Sequence, residues 1–306
     1  MLLEEKNGLK FFKSEKLLSI EGINHAFTTR IGGISPKPYN SLNIYSTKEE
    51  EKDNSLANRK KLGEVLNINI EKAVLAQQVH DNKVHKVINE DSGRGFFDHK
   101  TAIPETDALV TNEKNQPIML LYADCLPLII VDKKNLAVGV VHAGWKGTAL
   151  EISKKTVEKM VHEYQSKLDD IYVAIGVGIN KCCFEIQKDA QEKLSKVSYS
   201  NNCFEIRDNK IFANLVEINK SQLINMGIPE QNIDDNEFKT SYGVSTPQEE
   251  GSGGSAPFNP ETPEQSSEVL SNNNKNLCTF CNEEYFFSYR RDNQVTGRHS
   301  AIVWIN

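Results

Sequence analysis

The sequence predicts one domain of the α/β or α+β class, built around a mixed β-sheet. Strand-like and helix-like segments follow one another along the 306 residues without strict alternation, and no internal repeat is visible. Hydrophobic residues make up 38% of the chain and charged residues 25%, which is ordinary for a soluble globular protein. These observations favour residues 1–306 as a single domain.

The individual elements are predicted from hydrophobic periodicity and from turn residues. Strands are expected at residues 24–30, 73–79, 83–88, 107–111, 118–122 and 172–179. Helices are expected at residues 54–66, 147–168, 187–197 and 213–226. The last helix is predicted to end at Gly227, with Pro229 just beyond it. Residues 204–206 and 210–212 are predicted to form a small hairpin, and residues 286–290 and 299–305 a terminal one.

Residues 240–276 do not fit this pattern. The segment is rich in Ser, Glu, Asn, Pro and Gly and has almost no apolar residues to bury. Its run Gly251-Ser-Gly-Gly-Ser255 also looks like an engineered linker. We therefore expect a disordered or engineered surface insert here, of natural or artificial origin.

Composition excludes several classes of function. The formal net charge of −6 does not favour binding to nucleic acid or to an anionic membrane. No apolar run approaches the roughly 18–20 residues of a transmembrane helix, and the N-terminal segment is too charged for a signal peptide. The cytoplasm is the default expectation. Six cysteines in a chain of this length do not indicate a disulfide framework.

The most informative segment contains a cysteine and a histidine at a suggestive spacing. Residues 118–131 and 136–141 are apolar and flank a polar stretch, a pattern typical of a β-hairpin. If the turn centres on Lys133 and Lys134, Cys125 lies directly opposite His142. The pair would suit a shared metal ion or a nucleophile with its base. Lys-Lys is an unusual hairpin turn, and Pro127 indicates an edge strand or a bulge.

Other candidate residues are less specific. His80 ends a predicted strand, where functional side chains often lie, whereas His99 and His162 are expected to be exposed. Cys278 and Cys281 have Cys-x-x-Cys spacing, but a zinc site there would need distant partners because no second such pair exists. The adjacent Cys182 and Cys183 are interpreted as core or pocket lining. Arginines near the C-terminus and at positions 30 and 59 have two interpretations. They could bind phosphate or carboxylate, or they could be charges on an exposed surface.

Taken together, these segments resemble one family over nearly the whole chain except residues 240–276. The most specific motifs are Ala123-Asp124-Cys125-x-Pro127 and His142-Ala-Gly-Trp-Lys-Gly147. Further matches are Thr29-Arg30-x-Gly-Gly-Ile-Ser35, Ser41-Leu42-Asn43, Asn58-Arg59, Gln77-Gln78-Val79-His80, Thr106-Asp107-Ala108, Ile175-Gly-x-Gly-Ile179, Cys182-Cys183-Phe184-Glu185, Phe286-Phe287-Ser-Tyr-Arg-Arg291 and Gly297-Arg298. The family that these motifs resemble is the YfiH-like laccase-domain family, also called polyphenol oxidase proteins and now regarded as purine nucleoside phosphorylases. Departures are Asp81, where the family often has glycine, and the long insert before Cys278.

The resemblance implies a fold related to bacterial cysteine deamidase toxins and a catalytic zinc held by His80, Cys125 and His142, with copper as the other candidate metal. It also implies phosphorolysis of inosine, adenosine or methylthioadenosine to the base and (methylthio)ribose 1-phosphate, with zinc-dependent adenosine deaminase activity beside it. The expected partners are therefore purine nucleosides and phosphate, with no nucleic acid and no membrane; protein partners stay open. Three protein ligands leave a fourth position open, as in catalytic zinc sites. Residues expected to bind substrate or phosphate are Asn43, Arg59, Arg290 and Arg298, and Asp124 is expected to act either as a proton shuttle or as a structural hydrogen-bonding group.

Three other functions stay open on the residues alone. One is a metal-free hydrolase or deamidase with Cys125 as nucleophile and His142 as base, a mechanism that does not require His80. Another is a copper oxidase, although the seven histidines contain no His-x-His pair. The third is a zinc-stabilised binding module, which would need a fourth protein ligand.

Overall fold

A computed structural model describes residues 1–235 and 277–306 of the chain. The predicted insert at residues 240–276 lies outside the described residues. The helices are α1 (Glu15–Leu18), α2 (Glu49–Leu66), α3 (Trp145–Ala149), α4 (Ile152–Tyr164), α5 (Lys188–Ser195) and α6 (Leu215–Met226). The strands are β1 (Leu2–Lys6), β2 (Leu9–Lys13), β3 (Ile23–Thr28), β4 (Val84–Lys86), β5 (Ala108–Thr111), β6 (Ile118–Tyr122), β7 (Leu126–Asp132), β8 (Ala137–Ala143), β9 (Ile171–Ile175), β10 (Glu185–Ile186), β11 (Phe204–Arg207), β12 (Lys210–Ala213), β13 (Ile233–Asp234) and β14 (His299–Ile305).

Two large sheets form the centre of the molecule. One is antiparallel, with strand order β1-β2-β3-β14-β6. The other has the order β13-β9-β7-β8-β5-β4 and is mixed, because β13 and β4 each run parallel to their neighbour while the inner pairs are antiparallel. A small third sheet contains β10, β12 and β11. The predicted mixed α/β class and the mixed sheet are confirmed.

Both faces of the inner strands of the two large sheets are buried, which explains why these strands are nearly continuously apolar. In β7, Ile129 and Val131 belong to a cluster that also contains Ala301 and Val303 of β14, so this cluster fills the space between the sheets. Leu128 and Ile130 point the other way, into a core shared with α4, α5 and α6. The outer face of the antiparallel sheet packs against α2. Alternation along each strand thus produces four layers: helix, sheet, sheet and helices.

Several predicted boundaries are wrong for identifiable reasons. The helix expected at residues 147–168 is two helices, because Glu151 adopts a left-handed backbone (φ 57°) that redirects the chain between α3 and α4. Residues 73–79 make isolated bridges at Val74 and Ala76 instead of a strand. Residues 286–290 are irregular, and β14 pairs with β3 and β6 in place of the expected terminal hairpin. The small hairpin of β11 and β12 and the α6 stop at Gly227 are confirmed.

Among residues 1–235 and 277–306, no helix has the length and apolar character needed to cross a bilayer.

Candidate active site

The chain passes from one large sheet to the other at Ala123-Asp124-Cys125. The predicted long strand at residues 118–131 is therefore two strands, β6 in the antiparallel sheet and β7 in the mixed one. Asp124 makes the change of direction with a left-handed backbone (φ 85°), a conformation that is uncommon outside glycine. Cys125 follows immediately, just before β7, and so lies at the end of the mixed sheet.

The hairpin of β7 and β8 has a different register from the predicted one. Leu126 pairs with Ala143 and Pro127 with His142, so Cys125 is not directly opposite His142. The reason is the turn: Asp132 Oδ1 accepts the backbone N–H groups of Lys134 and Asn135, which gives a four-residue loop. The shift is by two residues and preserves the face of each side chain. Pro127 is also not on an edge strand, since β7 pairs on both sides, but it lies at the second residue of the strand.

Asp107 holds the loop that carries His80. The Asp107 carboxylate accepts backbone N–H groups from Val79, His80 and Asp81 at 3.0, 3.0 and 2.9 Å. His80 has a left-handed backbone (φ 62°), which these hydrogen bonds stabilise at a position where an L-residue is normally disfavoured. The side chain of His80 consequently projects towards Cys125, with 3.7 Å between Nε2 and Sγ.

The same carboxylate orients His142. Nδ1 of His142 lies 2.8 Å from Oδ1 of Asp107, and because a carboxylate only accepts, Nδ1 carries the proton. Nε2 is then the atom that remains for a metal or for Cys125, as in carboxylate–histidine–metal arrangements. The sequence reasoning assigned no role to Asp107. The available signal was an acidic residue at the start of a buried apolar strand, where a charge needs partners.

The three predicted metal ligands converge. The ligand atoms of His80, Cys125 and His142 all lie within 4.8 Å of one another. A tetrahedral zinc site needs sulfur and nitrogen ligands about 3.6 Å apart, from bond lengths near 2.3 and 2.0 Å. Gly144 leaves the space for this cluster, because a Cβ there would lie 3.0 Å from Cys125 Sγ and 3.0 Å from His80 Cδ2. One thiolate and two imidazoles fit zinc or copper.

Cys125 and His142 shift each other's pKa. Burial by itself raises the pKa of the Cys125 thiol, but the positive charge and hydrogen bond of His142, with His80 beside it, lower that pKa from 9.0 to about 6. Burial likewise disfavours a charged His142, yet the Cys125 thiolate and the Asp107 carboxylate raise the pKa of His142 to about 9. Without metal the pair therefore rests as thiolate and imidazolium at neutral pH.

This charge state predicts the reactivity of Cys125 in metal-free protein. The rate of alkylation of Cys125 by iodoacetamide is expected to rise with a midpoint near pH 6, because only the thiolate reacts and its pKa is about 6. In a His142→Ala variant the midpoint should move up by at least one pH unit towards ~8.5. Peptide mass mapping separates Cys125 from the other five cysteines. A wild-type midpoint above pH 8 would contradict the ion pair.

The cluster faces a cleft of about 560 Å³. Its lining includes Arg290 and Arg298, both predicted to bind phosphate, and the side chains of Asp124, Tyr45, His99, Trp145, Phe184 and Tyr289. The Asp124 carboxylate accepts the Thr279 hydroxyl at 2.6 Å and the Arg290 backbone N–H at 2.7 Å. These bonds fix the segment that carries Arg290, which matches the structural role considered for Asp124 more closely than a proton shuttle.

Two predicted substrate residues lie elsewhere. Arg59 is buried, and its Nη1 and Nη2 donate to the carbonyls of Ile44 and Phe96 at 2.6 and 2.7 Å. Burial lowers the pKa of this guanidinium to about 10. Asn43 is fully buried and accepts the backbone N–H of Arg298 at 2.8 Å. Neither residue lines the cleft as the structure describes it. Arg59 thus holds loops together, and Asn43 positions Arg298.

Comparison with known proteins places this geometry in a family. A family model described as multi-copper polyphenol oxidoreductase laccase matches residues 24–246 and 265–306. The chain belongs to this family. A relative from Bacillus subtilis, purine nucleoside phosphorylase YlmD, is 30% identical over 279 residues that cover 90% of this chain and 86% of the relative.

Solved structures of the family share the fold. YlmD from Geobacillus stearothermophilus superposes with a TM-score of 0.81 at 28% identity, covering 99% of this chain and 98% of that one. The Bacillus licheniformis hypothetical protein YfiH superposes with a TM-score of 0.80 at 27% identity, covering 99% of each chain. The resemblance inferred from the motifs and the predicted fold type are confirmed.

Proposed function

We propose that this protein is a metal-dependent purine nucleoside phosphorylase that cleaves inosine, adenosine or methylthioadenosine with phosphate. The observation that carries the proposal is the content of one cleft: the His80–Cys125–His142 cluster, two arginines and several aromatic rings all face the same 560 Å³ space. The name of the Bacillus subtilis relative, a purine nucleoside phosphorylase, supports this reading.

The cleft offers groups that can hold both reactants. A phosphate oxygen must bond to C1′ of the ribose while the C1′–N9 bond breaks and its electron pair leaves with the purine, which then takes up a proton. Arg290 and Arg298 use Nη1 for backbone carbonyls, and a guanidinium has five N–H donors, so each retains donors for phosphate oxygens. The rings of Phe184, Tyr289 and Trp145 offer faces against which a purine can pack.

The ligand cluster supplies the electrophilic part. A zinc or copper ion held by His80, Cys125 and His142 would provide a Lewis acid that stabilises negative charge developing on substrate. The protein contributes rigidity: Asp107 fixes the tautomer and orientation of His142 and holds the backbone of His80. Asn43 and Asp124, through backbone N–H groups, fix the segments that present Arg298 and Arg290.

The proposal is tested by chromatography of inosine and adenosine incubated with zinc-loaded protein, with and without phosphate. We expect free base and ribose 1-phosphate only when phosphate is present, and no product with a Cys125→Ala variant. Cys203→Ser is the matched control, because Cys203 is buried in the helix-side core and away from the cleft. Inosine formed from adenosine without phosphate would identify the deaminase activity. If neither nucleoside changes, the phosphorylase proposal fails.

One observation favours a second candidate, a Cys–His hydrolase or deamidase: Cys125 Sγ lies within 4.8 Å of a ring nitrogen of His142, and, although burial raises the pKa of the thiol, the two histidines beside it lower that pKa to about 6. The effect of added zinc on activity distinguishes the phosphorylase from the hydrolase. A metal bound to the Cys125 sulfur would block its use as a nucleophile, whereas the proposed phosphorylase requires the metal. The histidines argue against a multi-copper oxidase, which would need many of them close together. Only His80 and His142 belong to the cluster with Cys125, and all seven histidines lie in the described part of the chain.

Arg298 is expected to contribute phosphate affinity. Replacing Arg298 by alanine should raise KM for phosphate by about 10- to 100-fold, since a hydrogen bond to a charged group contributes roughly 1.5–3 kcal/mol. KM for the nucleoside should change much less. Arg94→Ala is the control, because Arg94 pairs with Asp91 and does not line the cleft. Initial rates at varied phosphate check this, and an unchanged phosphate KM would exclude Arg298 from the anion site.

A further inference from the structure

A second group of cysteines lies outside the cleft. Cys182 and Cys183, expected to be core or pocket lining, meet Cys278 and Cys281 of the Cys-x-x-Cys motif. The distant partners that this motif lacked in the sequence are thus supplied by the loop after β9. Cys278 is buried, Cys183 half-buried, and Cys182 and Cys281 exposed, and none of the four lines the cleft.

The sulfur positions fit one tetrahedral metal ion. All four Sγ atoms lie within 4.8 Å of one another, with 3.5 Å between Cys182 and Cys281 and 3.2 Å between Cys183 and Cys281. Four thiolates on zinc, at about 2.3 Å each, would be about 3.8 Å apart. A disulfide needs sulfur atoms about 2.05 Å apart, and all four cysteines are free.

The surrounding backbone is arranged for negatively charged sulfur. The backbone N–H of Asn180 donates to Cys278 Sγ at 3.4 Å, and the N–H groups of Phe280 and Cys281 also approach that atom. This is the way in which a Cys-x-x-Cys turn stabilises a thiolate. Such N–H contacts satisfy sulfur lone pairs that a metal does not use.

Two arginines brace the loops on either side. Arg207 Nη2 donates to the carbonyls of Lys181 and Cys182, at 2.7 and 3.1 Å. Arg291 Nη1 donates to the carbonyls of Thr279 and Phe280, at 2.8 and 3.3 Å. These hydrogen bonds hold both cysteine-bearing loops in place, while the same arginines also pair with Glu205 and Asp292.

We propose that Cys182, Cys183, Cys278 and Cys281 bind a structural Zn²⁺ ion as four thiolates. Four protein ligands close the coordination sphere, so this ion has no open position for substrate. The soft sulfur donor set selects zinc over hard divalent cations such as Mg²⁺. The ion joins two segments that are far apart in sequence, with 98 residues between Cys183 and Cys281. It lies close to the wall of the cleft, because Thr279, between Cys278 and Cys281, donates its hydroxyl to Asp124, which lines the cleft.

The test is zinc content by mass spectrometry on full-length protein purified under reducing conditions. We expect two zinc ions per chain in the wild type, one in Cys281→Ser, one in a His80→Ala/His142→Ala double variant, and none when all three changes are combined. Cys203→Ser should keep both ions, because Cys203 belongs to neither cluster. Cobalt bound by the double variant should show strong sulfur-to-metal charge-transfer absorption that Cys281→Ser abolishes.

Several results would overturn the proposal. They are a wild-type content of one ion that Cys281→Ser leaves unchanged, iron in place of zinc at these cysteines, or a disulfide between the two segments with no bound metal. If Cys281→Ser fails to fold, the wild type still decides: a mercurial reagent must release one zinc ion per chain that a chelator alone does not remove. This ion should be released only when Cys278 and Cys281 are modified, as located by peptide mass mapping.

Discussion

An Asp107→Ala variant is expected to lose stability and metal affinity together. The buried carboxylate accepts three backbone N–H groups and the Nδ1–H of His142, and alanine leaves all four donors without their partner. Breaking a buried charged network of this kind lowers the free energy of unfolding by about 3–5 kcal/mol. Loss of the carboxylate behind a metal-ligating histidine lowers metal affinity by about 10- to 100-fold. Denaturant unfolding of metal-free protein and competition with a chelator measure the two effects.

Asp132 offers a matched control for this experiment. It is also a fully buried carboxylate that holds a loop through backbone N–H groups, but it lies at the far end of β7 from Cys125. Asp132→Ala should lower stability while leaving the affinity of the His80–Cys125–His142 site unchanged. Equal losses of metal affinity in both variants would show that the Asp107 effect is only a consequence of lower stability.

The pKa of the Asp107 carboxyl determines how the free energy of unfolding changes with pH in acid. Burial opposes its charge, but hydrogen bonds from His142 and the loop lower its pKa below the ordinary 3.8. A group whose pKa is lower in the folded state stabilises the fold above its unfolded pKa, and this stabilisation disappears as the pH falls through the folded value. The difference in unfolding free energy between wild type and Asp107→Ala should therefore be full between about pH 5 and 6.5 and shrink in stronger acid. It should also decline as the pH rises towards 9, because His142 then loses the proton that Asp107 stabilises.

The approach of Cys125 to His142 was predicted better than the geometry that brings the two side chains together. Period-two alternation already placed Cys125 and His142 on one face, and this survived a register error because the shift was by two residues. The error itself came from the turn, where the side chain of Asp132 determines the loop length. Such local side-chain hydrogen bonds compete with the hairpin turns that a hydrophobic pattern suggests.

Other features depended on contacts between distant segments. Asp107 acts on a loop 26 to 28 residues away and on a histidine 35 residues away, so spacing alone carries no signal for it. The four-cysteine cluster likewise joins segments that no motif connects. Conversely, Arg59 was predicted to bind phosphate because an arginine can bind either an anion or backbone carbonyls. The positions of the Ile44 and Phe96 carbonyls show that it does the second, inside the protein.

Gly144→Ala is expected to weaken metal binding at the His80–Cys125–His142 site while leaving the fold intact. Gly144 precedes α3 with φ −67° and ψ 170°, a conformation that alanine adopts readily. The added Cβ would lie 3.0 Å from both Cys125 Sγ and His80 Cδ2, so these side chains must move apart. In the metal-free protein they are free to do so, and the reduced entropy of the unfolded chain can stabilise the variant by up to about 1 kcal/mol.

A bound metal removes that freedom, because it fixes sulfur and imidazole at bonding distance. Zinc affinity should therefore fall by at least 10-fold, and phosphorolysis by ~10²-fold or more, since a Lewis acid contributes several kcal/mol to charge stabilisation and each 1.36 kcal/mol is tenfold in rate. Gly139→Ala is the control: its Cβ would meet Thr156 and Val110 at 3.2 Å, in the core and away from the ligands. Gly139→Ala should lower stability and preserve zinc affinity, the reverse of Gly144→Ala. If Gly144→Ala bound zinc like the wild type, the three residues would not share one ion.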